Sequence, residues 1–317
     1  MKKIVAMAIA VVFASSPAWS QVLSVGTNPS GTVSYSVAAA VSKVVSENTK
    51  LRMRVAPQGG PVVTIPLLNK KEFEFSTGVS VVSFFAAKGK AMFKKSGPQK
   101  NMRVLGAMLP TPLAMMTSRK SGIKTLADLK GKRIGSGFPK QKIVGVFTNA
   151  YLKSVGIAKT DYTAILEPNG SRGVQDLMAG RVDATLFTVF SGLAQQADAK
   201  TGGIRWLPLP ASPEGQAIAR KGVPGTIITT LQPGQGAGVN TPITILSTPM
   251  VVMTHVGVSN DIVYQIAKLL HTNKAKLQAA FKGFKNFNTK DMAVNFGAPY
   301  HAGAEKYYRE AGIWPSK

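Results

Sequence analysis

The 317-residue sequence contains no cysteine and only 14 acidic residues. The absence of cysteine excludes disulfide bonds, a thiol nucleophile and a lipid anchor on a processed N-terminal cysteine. The acidic residues are scattered, which excludes an EF-hand calcium loop and argues against a dedicated metal cage. Beyond the N-terminus no stretch reaches the ~18 uncharged apolar residues of a membrane span, because Pro249 and His255 interrupt the richest run.

The N-terminus has the order of features found in a secretory signal peptide. Lys2 and Lys3 precede an uncharged apolar run over residues 4–13, and small side chains follow around Ala18 and Ser20. The apolar run is shorter than the ~20 residues needed to cross a bilayer. A buried N-terminal helix is the alternative interpretation. We predict a signal peptide over residues 1–20, cleavage near Ser20 and export to the periplasm.

The remaining chain exceeds the ~250–300 residues at which a single hydrophobic core usually divides, which favours two lobes. Its composition is globular, but Lys and Arg number 39, giving a formal charge of +25 and a pI near 10.3. Nucleic-acid binders combine such charge with stacking aromatic residues or a known motif, and neither is found. Steering of an anionic ligand and a solvated basic surface both remain open, and the charge does not bear on the fold.

Strand-like and helix-like segments alternate along the mature chain, as in α/β proteins with a parallel sheet. A β-α-β-α-β succession begins at residue 22, and a second one follows residue 113. Residues 208–242 are rich in Pro and Gly and are predicted to be an excursion, before a long strand from residue 243 and C-terminal helices. We predict one lobe from residues 21–112 plus 250–317 and a second lobe from residues 113–249.

Two glycine-containing loops are the strongest local candidates for a binding site. The first, residues 26–35, links a strand to a helix, where free N–H groups and hydroxyl side chains suit a carboxylate or phosphate. A plain capping turn would use the same residue types. Gly135-Ser136-Gly137 is the matching loop of the second unit, and two such loops facing each other across a cleft would form a ligand site.

Enzyme signatures are largely missing from the sequence. There is no nucleophile elbow, P-loop or zincin motif. Ser121 and Lys124 fit the first motif of serine β-lactamases, but the partner motifs are absent. His255, His271 and His301 are far apart and have no metal-ligand spacing, and His255 is predicted to be a packed strand residue. We therefore expect neither catalysis nor a cofactor or metal.

Several segments together resemble one family, the TAXI-type receptors of TRAP transporters, which are TRAP-associated extracytoplasmic solute-binding proteins. In the first half of the mature chain, the similar segments are the first glycine loop (residues 25–35) and a second glycine turn (58–60). In the rest of the chain they are the opening of the second lobe (121–134), a glycine-x-x-Asp-Ala strand (180–184) and a terminal signature with a tyrosine pair (301–310). The resemblance extends over residues 24–310. Pro61, Phe138 and Ala302 depart from it, since serine, a small hydroxyl residue and proline are usual at these positions.

The resemblance implies a type II periplasmic-binding fold, in which two α/β lobes joined by hinge strands close on a ligand. It implies a small organic anion, a carboxylate or amino acid, as ligand and a TRAP membrane permease as partner. Pro61 and Phe138 favour a less polar or aromatic acid. We expect a monomer that binds no nucleic acid. The predicted ligand-binding residues are Thr27, Asn28, Ser30, Thr32, Tyr35, Gln58, Gly59, Gly60, Thr77, Ser80, Ser136, Phe138, Lys140 and Thr188.

Other receptors share export, size and two lobes. Binding proteins of tripartite tricarboxylate transporters or ABC importers are alternatives, although the terminal tyrosine pair, Tyr307 and Tyr308, argues against both. A periplasmic sensor that presents its ligand to a membrane kinase would have the same sequence features.

Overall fold

The computed structural model describes residues 22–295 and 297–315. The predicted signal peptide, residues 1–20, lies outside the described residues. Among those described, no helix combines the length and the apolar character needed to cross a membrane.

The described strands form a single mixed sheet. The strands are β1 Val22–Thr27, β2 Arg52–Pro57, β3 Phe75–Val79, β4 Met102–Ser118, β5 Arg133–Gly137, β6 Thr163–Glu167, β7 Ala184–Thr188, β8 Ile204–Leu207, β9 Ile227–Leu231 and β10 Ile243–His255. Their order is β2-β1-β3-β10-β4-β7-β5-β6, with β8 also paired to β4 and β9 to β10. The sheet thus has parallel strands at both ends, β1–β3 and β5–β7, and two long antiparallel strands between them.

The helices follow the strands in α/β succession. They are α1 Val33–Asn48, α2 Pro61–Asn69, α3 Ser80–Lys88, α4 Lys142–Lys153, α5 Gly170–Met178, α6 Gly192–Thr201, α7 Pro213–Gly222, α8 Asn260–Thr272, α9 Lys274–Ala280 and α10 Ala302–Glu310. In α1, valines at helical spacing face the sheet, and the Thr32 side chain caps the first turn. Gly60 and Pro61 begin α2, because Pro has no N–H to lose at a helix start.

The long strands β4 and β10 connect the two parallel groups. Residues 102–113 of β4 pair with β10, and from Leu113 onward β4 pairs instead with β7, joined by β8 from Met115. In the same way β10 pairs with β9 up to Ser247 and with β3 from Met250. At the change of partners Pro110 faces Pro249, so neither residue supplies a ladder N–H at that point.

A buried tyrosine of α4 ties the two long strands together. The Tyr151 hydroxyl donates to the Leu113 carbonyl of β4 at 2.5 Å and accepts from the Leu246 N–H of β10 at 2.9 Å. Burial raises the pKa of this phenol well above its ordinary value, so it stays protonated and can donate.

Three sequence-based expectations are wrong in detail. Gly135 and Gly137 are strand residues of β5, not a turn; a Cβ on Gly135 would lie 3.0 Å from Thr185 Oγ1, so this glycine permits close packing inside the sheet. The excursion over residues 208–242 contains the helix α7 and the strand β9. The strand predicted from residue 113 begins at Met102, because β4 is buried on both faces and shows no alternation there.

The terminal signature has structural roles in the first parallel group. His301 caps α10 through Nδ1, which accepts from the Gly303 N–H at 3.2 Å, so the helix begins at Ala302 without the usual proline. Tyr308 donates to the Leu105 carbonyl of β4 at 2.9 Å, and the Tyr307 hydroxyl lies 2.7 Å from His271 Nδ1. His255 is buried at the end of β10, as expected for a packed strand residue.

A buried acidic pair lies between β6 and α5. Burial, together with the neighbouring Asp176 carboxylate, raises the pKa of Glu167 to about 7. Burial also pushes the pKa of Asp176 upward, but hydrogen bonds from Arg181 and Arg172 outweigh that effect and lower it. At neutral pH the ionised Asp176 is therefore accompanied by a Glu167 that remains partly protonated.

We expect Tyr151→Phe to lower the free energy of unfolding by about 2 to 4 kcal/mol, because it leaves two buried backbone groups without a partner while the ring still fills its space. Urea unfolding measures the change. Tyr162→Phe is the control, since no hydrogen bond to the Tyr162 hydroxyl is found among the described residues and its loss should change stability by less than about 0.5 kcal/mol. Equal effects of the two substitutions would contradict the tie between β4 and β10.

We expect Glu167→Gln to remove a pH dependence of stability. A carboxyl whose pKa is raised by folding stabilises the protein below its unfolded pKa, and this stabilisation, on the order of 2–3 kcal/mol, is lost as the pH rises from about 4.5 to about 7. Urea unfolding of the wild-type protein and the variant between pH 4.5 and pH 7 gives the difference in their free energies of unfolding. The histidines contribute equally to both proteins, so their contribution cancels in this difference. A difference that is constant with pH would contradict the burial of Glu167 as an acid.

Candidate functional site

A cavity lies where the C-terminal ends of the two parallel groups meet. On one side are the ends of β1 and β3 with the start of α1; on the other are the end of β7 and the start of α4. Ligands of open α/β sheets bind at this edge of the strands. The cavity volume is about 50 Å³, which is room for only a few water molecules, so a ligand with several carbon atoms can enter only if the two sides move apart.

The described residues that line the cavity are mostly apolar, and none is charged. They are Asn28, Thr32, Val33, Ser34, Pro61, Val79, Leu113, Gln141, Ile143, Val144, Phe147, Leu186, Phe187, Thr188 and Met250. The long strands supply Leu113 and Met250, so both the floor of the cavity and the connection between the two groups belong to the same two strands.

Two polar side chains at the cavity have buried atoms without a partner. Neither Asn28 Oδ1 nor Thr188 Oγ1 has a hydrogen-bond partner among the described residues. They come from opposite sides, Asn28 directly after β1 and Thr188 at the end of β7. An unpaired buried polar atom costs about 1–3 kcal/mol. Asn28 Oδ1 only accepts, so its partner would be a ligand N–H or hydroxyl, whereas the Thr188 hydroxyl can also donate to a carboxylate.

The start of α4 presents its first turn to the cavity. Gln141 occupies the N-cap position but does not cap the helix, because its Oε1 accepts from the Gly170 N–H at 2.9 Å. Ile143 and Val144, in the first turn, line the cavity. Helix N-termini carry partial positive charge, so this end of α4 suits a carboxylate oxygen.

Three of the predicted binding residues lie behind the cavity wall, where their hydroxyls are already paired. Thr77 Oγ1 donates to Thr27 Oγ1 at 2.8 Å, and Ser34 Oγ lies 2.9 Å from each of these two hydroxyls. Ser80 Oγ is likewise 2.9 Å from Thr248 Oγ1 of β10. These bonds fix the ends of β1 and β3 and the middle of β10, so Thr27, Thr77 and Ser80 position the site without lining it.

Of the fourteen predicted residues, the structure places Asn28, Thr32 and Thr188 at the cavity. The Thr32 hydroxyl is engaged in capping α1, since it donates to the Pro29 carbonyl and accepts from the Tyr35 N–H. The exposed side chains are Ser30, Gln58 and Lys140; Tyr35 and Ser136 are half-buried. Lys140 is therefore outside the cavity, and the residue after it, Gln141, lines it instead.

Phe138 packs inside the second parallel group rather than at the cavity. The residue is fully buried, and its ring lies against Gly145 and Gly173. Its backbone has a φ of 45°, in the left-handed region that favours glycine. The sequence suggested that Phe138 makes part of the cleft apolar. The apolar lining comes instead from Phe147, Phe187 and Pro61, and of these only Pro61 was singled out from the sequence.

Loops from the two sides touch above the cavity. The Leu193 N–H at the start of α6 donates to the Gly31 carbonyl at 3.4 Å. Gly59 approaches the Lys140 carbonyl so closely that a Cβ on Gly59 would lie 3.2 Å from it. Gly60, with a φ of 84°, adjoins Asn28, whose Oδ1 would lie only 1.8 Å from an added Cβ. The two glycines thus permit a close approach that other residues would block.

The comparisons with known proteins agree with this architecture. The model of the NMT1-like family matches residues 25–312. The structure of a periplasmic transporter is similar at a TM-score of 0.59, with 14% identity over 92% of both chains. PhnD1 from Prochlorococcus marinus in complex with methylphosphonate gives a TM-score of 0.55 at 11% identity, over 92% of this chain and 98% of that chain.

A further similar structure is the binding protein component of an ABC phosphonate transporter from Pseudomonas aeruginosa. Its TM-score is 0.54 at 9% identity, over 84% of this chain and 79% of that chain. At such identities the likeness shows the fold alone. The predicted α/β fold of two-lobed periplasmic binding proteins is confirmed.

We expect the same substitution to have opposite effects at two threonines of the site. Thr188→Val removes a hydroxyl that has no partner and should leave the free energy of unfolding unchanged or raise it slightly. Thr77→Val removes a hydroxyl that bonds Thr27 and the Ser34 carbonyl and should lower it by about 1–3 kcal/mol. Urea unfolding of both variants without ligand checks this. A destabilised Thr188→Val would show that its hydroxyl already has a partner.

Proposed function

This chain belongs to the NMT1-like family, and from that premise we propose that it is an exported receptor, which captures a small organic anion between its two lobes and delivers it to a membrane transporter. The proposal includes a periplasmic location after removal of residues 1–20. It places the lobe boundaries near residues 112 and 250, where β4 and β10 change their partners.

One observation carries the proposal: polar side chains from both sides, Asn28 and Thr188, each with an unpaired atom, line a mostly apolar cavity. The Asn28 amide would donate to a ligand carboxylate through Nδ2 and Thr188 through its hydroxyl, and the first turn of α4 would lie beside the negative charge. Phe147 and Phe187 would pack against the apolar body. A ligand that touches both sides stabilises the closed arrangement, because each side alone leaves its polar atoms unpaired.

The lining residues narrow the ligand class. A compact dicarboxylate would bring two charges into a cavity without a cationic side chain, and burying a charge without a partner is costly. An amino acid would bring an ammonium group, for which no lining residue supplies a carboxylate. An acid with one carboxylate and an aliphatic or aromatic body fits best, since the helix N-terminus, the Asn28 Nδ2 and the Thr188 hydroxyl can all donate to the carboxylate.

We propose a TRAP-type permease as the partner. The support is the resemblance of residues 25–35 and 301–310 to the TAXI receptors, together with the structural use of the terminal signature at His301, Tyr307 and Tyr308. Opening and closing would bend β4 and β10 at Pro110 and Pro249, where the ladder has no N–H donors.

We expect a monocarboxylate with an apolar body, such as benzoate or a medium-chain fatty acid, to raise the melting temperature of the mature protein. Ligand at 100 times its Kd should add about 2.7 kcal/mol of stability. Succinate and glycine are the comparison ligands and should have a much smaller effect. Stabilisation by succinate alone would contradict the proposed ligand class, and no response to any acid of a broad panel would contradict the anion receptor.

The same assay tests the site. Thr188→Val should weaken binding of the best acid by about tenfold, the effect of one lost hydrogen bond in a closed site. Thr160→Val is the matched control, because Thr160 is exposed on the second lobe and does not line the cavity. Equal binding by both variants would remove Thr188 from the site.

Uptake by whole cells separates the transporter classes. A TRAP permease is driven by an ion gradient, so an ionophore that collapses the gradient while ATP is maintained should abolish receptor-dependent uptake. Uptake that continues under these conditions would indicate an ABC importer instead.

A further inference from the structure

A compact segment of the first lobe, residues 88–100, carries five exposed lysines. They are Lys88, Lys90, Lys94, Lys95 and Lys100. In the described residues none of their ammonium groups has an ion-pair or hydrogen-bond partner. The sequence contributes no counter-charge nearby along the chain, since no acidic residue occurs between Glu74 and Asp128. This lysine segment is a concentration of unpaired positive charge, unlike the lysines Lys43, Lys70 and Lys130, which lie near carboxylates.

The lysine segment is held in place by the fold. The Phe93 side chain is 1% exposed and Gln99 is 4% exposed, so both anchor the segment in the lobe. The Lys90 N–H donates to the Phe85 carbonyl at 2.9 Å, and the Gln99 N–H donates to the Ala86 carbonyl at 2.9 Å. The Gln99 amide also donates to the Gly97 carbonyl at 2.8 Å. The five lysines therefore project from an ordered turn.

The position of the segment leaves the cavity free. The helix α3 starts beside the cavity at Ser80, directly after Val79, and ends at Lys88. Nine helical residues at 1.5 Å each separate the two ends by about 13 Å, so the lysines lie at the far end of this helix. None of the described residues that line the cavity belongs to the lysine segment.

We propose that the lysine segment is a docking surface for anionic phospholipid headgroups. Lysine is depleted at protein–protein interfaces, which favour aromatic residues, methionine and arginine, whereas clustered lysines attract anionic bilayers. The segment has no exposed aromatic side chain or arginine that would anchor a shaped protein partner. Lysine is a mobile point charge on a flexible stem, which matches the diffuse charge of a lipid surface.

Docking of this kind would keep the receptor near the membrane without inserting it. The inference goes beyond the proposed function and does not depend on the identity of the cleft ligand. It gives part of the formal charge of +25 a local role, since five of the positive charges would then form a binding surface instead of being merely solvated. The attraction acts only within a Debye length, about 10 Å at 0.1 M salt, so it should be reversible and sensitive to salt.

The test is co-sedimentation of the mature protein with vesicles of phosphatidylcholine alone or mixed with phosphatidylglycerol. We expect binding only to the mixed vesicles, and its loss in high salt. The variant with K88Q, K90Q, K94Q, K95Q and K100Q should bind at least about tenfold more weakly, and the same five positions changed to arginine should retain binding. Melting temperature and binding of the cleft ligand establish that each variant is folded.

The matched control removes the same number of charges elsewhere. It carries K153Q, K159Q, K200Q, K221Q and K268Q, at exposed lysines spread over the surface. Its binding should fall by less than about threefold. Equal losses in both variants would overturn the proposal, because overall charge would then explain the attraction. So would a wild-type protein that ignores the mixed vesicles, including the case in which the lysine segment instead binds an acidic protein.

Discussion

The antiparallel pairing of β4 with β10 is the constraint on which the rest of the structure depends. These strands are the middle of the sheet, they separate the two parallel groups, and they supply Leu113 and Met250 to the cavity floor. Tyr151 bonds both strands at once, at Leu113 and Leu246. The way the two groups face each other across the cavity therefore depends on this one pairing.

Different residues of the candidate site serve the stability of the fold and the binding of a ligand. Hydroxyls that are paired, such as those of Thr27 and Thr77, hold the strand ends together. Asn28 Oδ1 and Thr188 Oγ1 have no partner among the described residues, so both are open to a ligand under the proposed function. The division follows from the energetics of buried polar groups, since a satisfied hydroxyl stabilises the fold whereas an unsatisfied one is retained at a cost. On the proposed function, the uncharged lining would favour an acid whose apolar body contributes most of the binding.

The sequence predicted the fold class and the edge of the sheet at which the cavity lies, because strands and helices alternate and glycine loops mark the strand ends. It could not tell which hydroxyl of a loop faces the cavity. Thr27 and Asn28 are neighbours, yet Thr27 turns towards Ser34 and Thr77, and that depends on where β3 lies beside β1. Gln141 was missed for a similar reason: the exposed Lys140 has the charge that a sequence search favours, whereas Gln141 is positioned by its bond to Gly170.

The most direct test of the central claim is mass spectrometry of the small molecules released when the purified mature protein is denatured. The account predicts an organic acid with a single carboxylate and an apolar body, in up to equimolar amount, which the Thr188→Val variant retains less well. Release of a sugar, a cation or a compact dicarboxylate in stoichiometric amount would contradict it, because the uncharged and largely apolar lining of the cavity offers such ligands no matching groups.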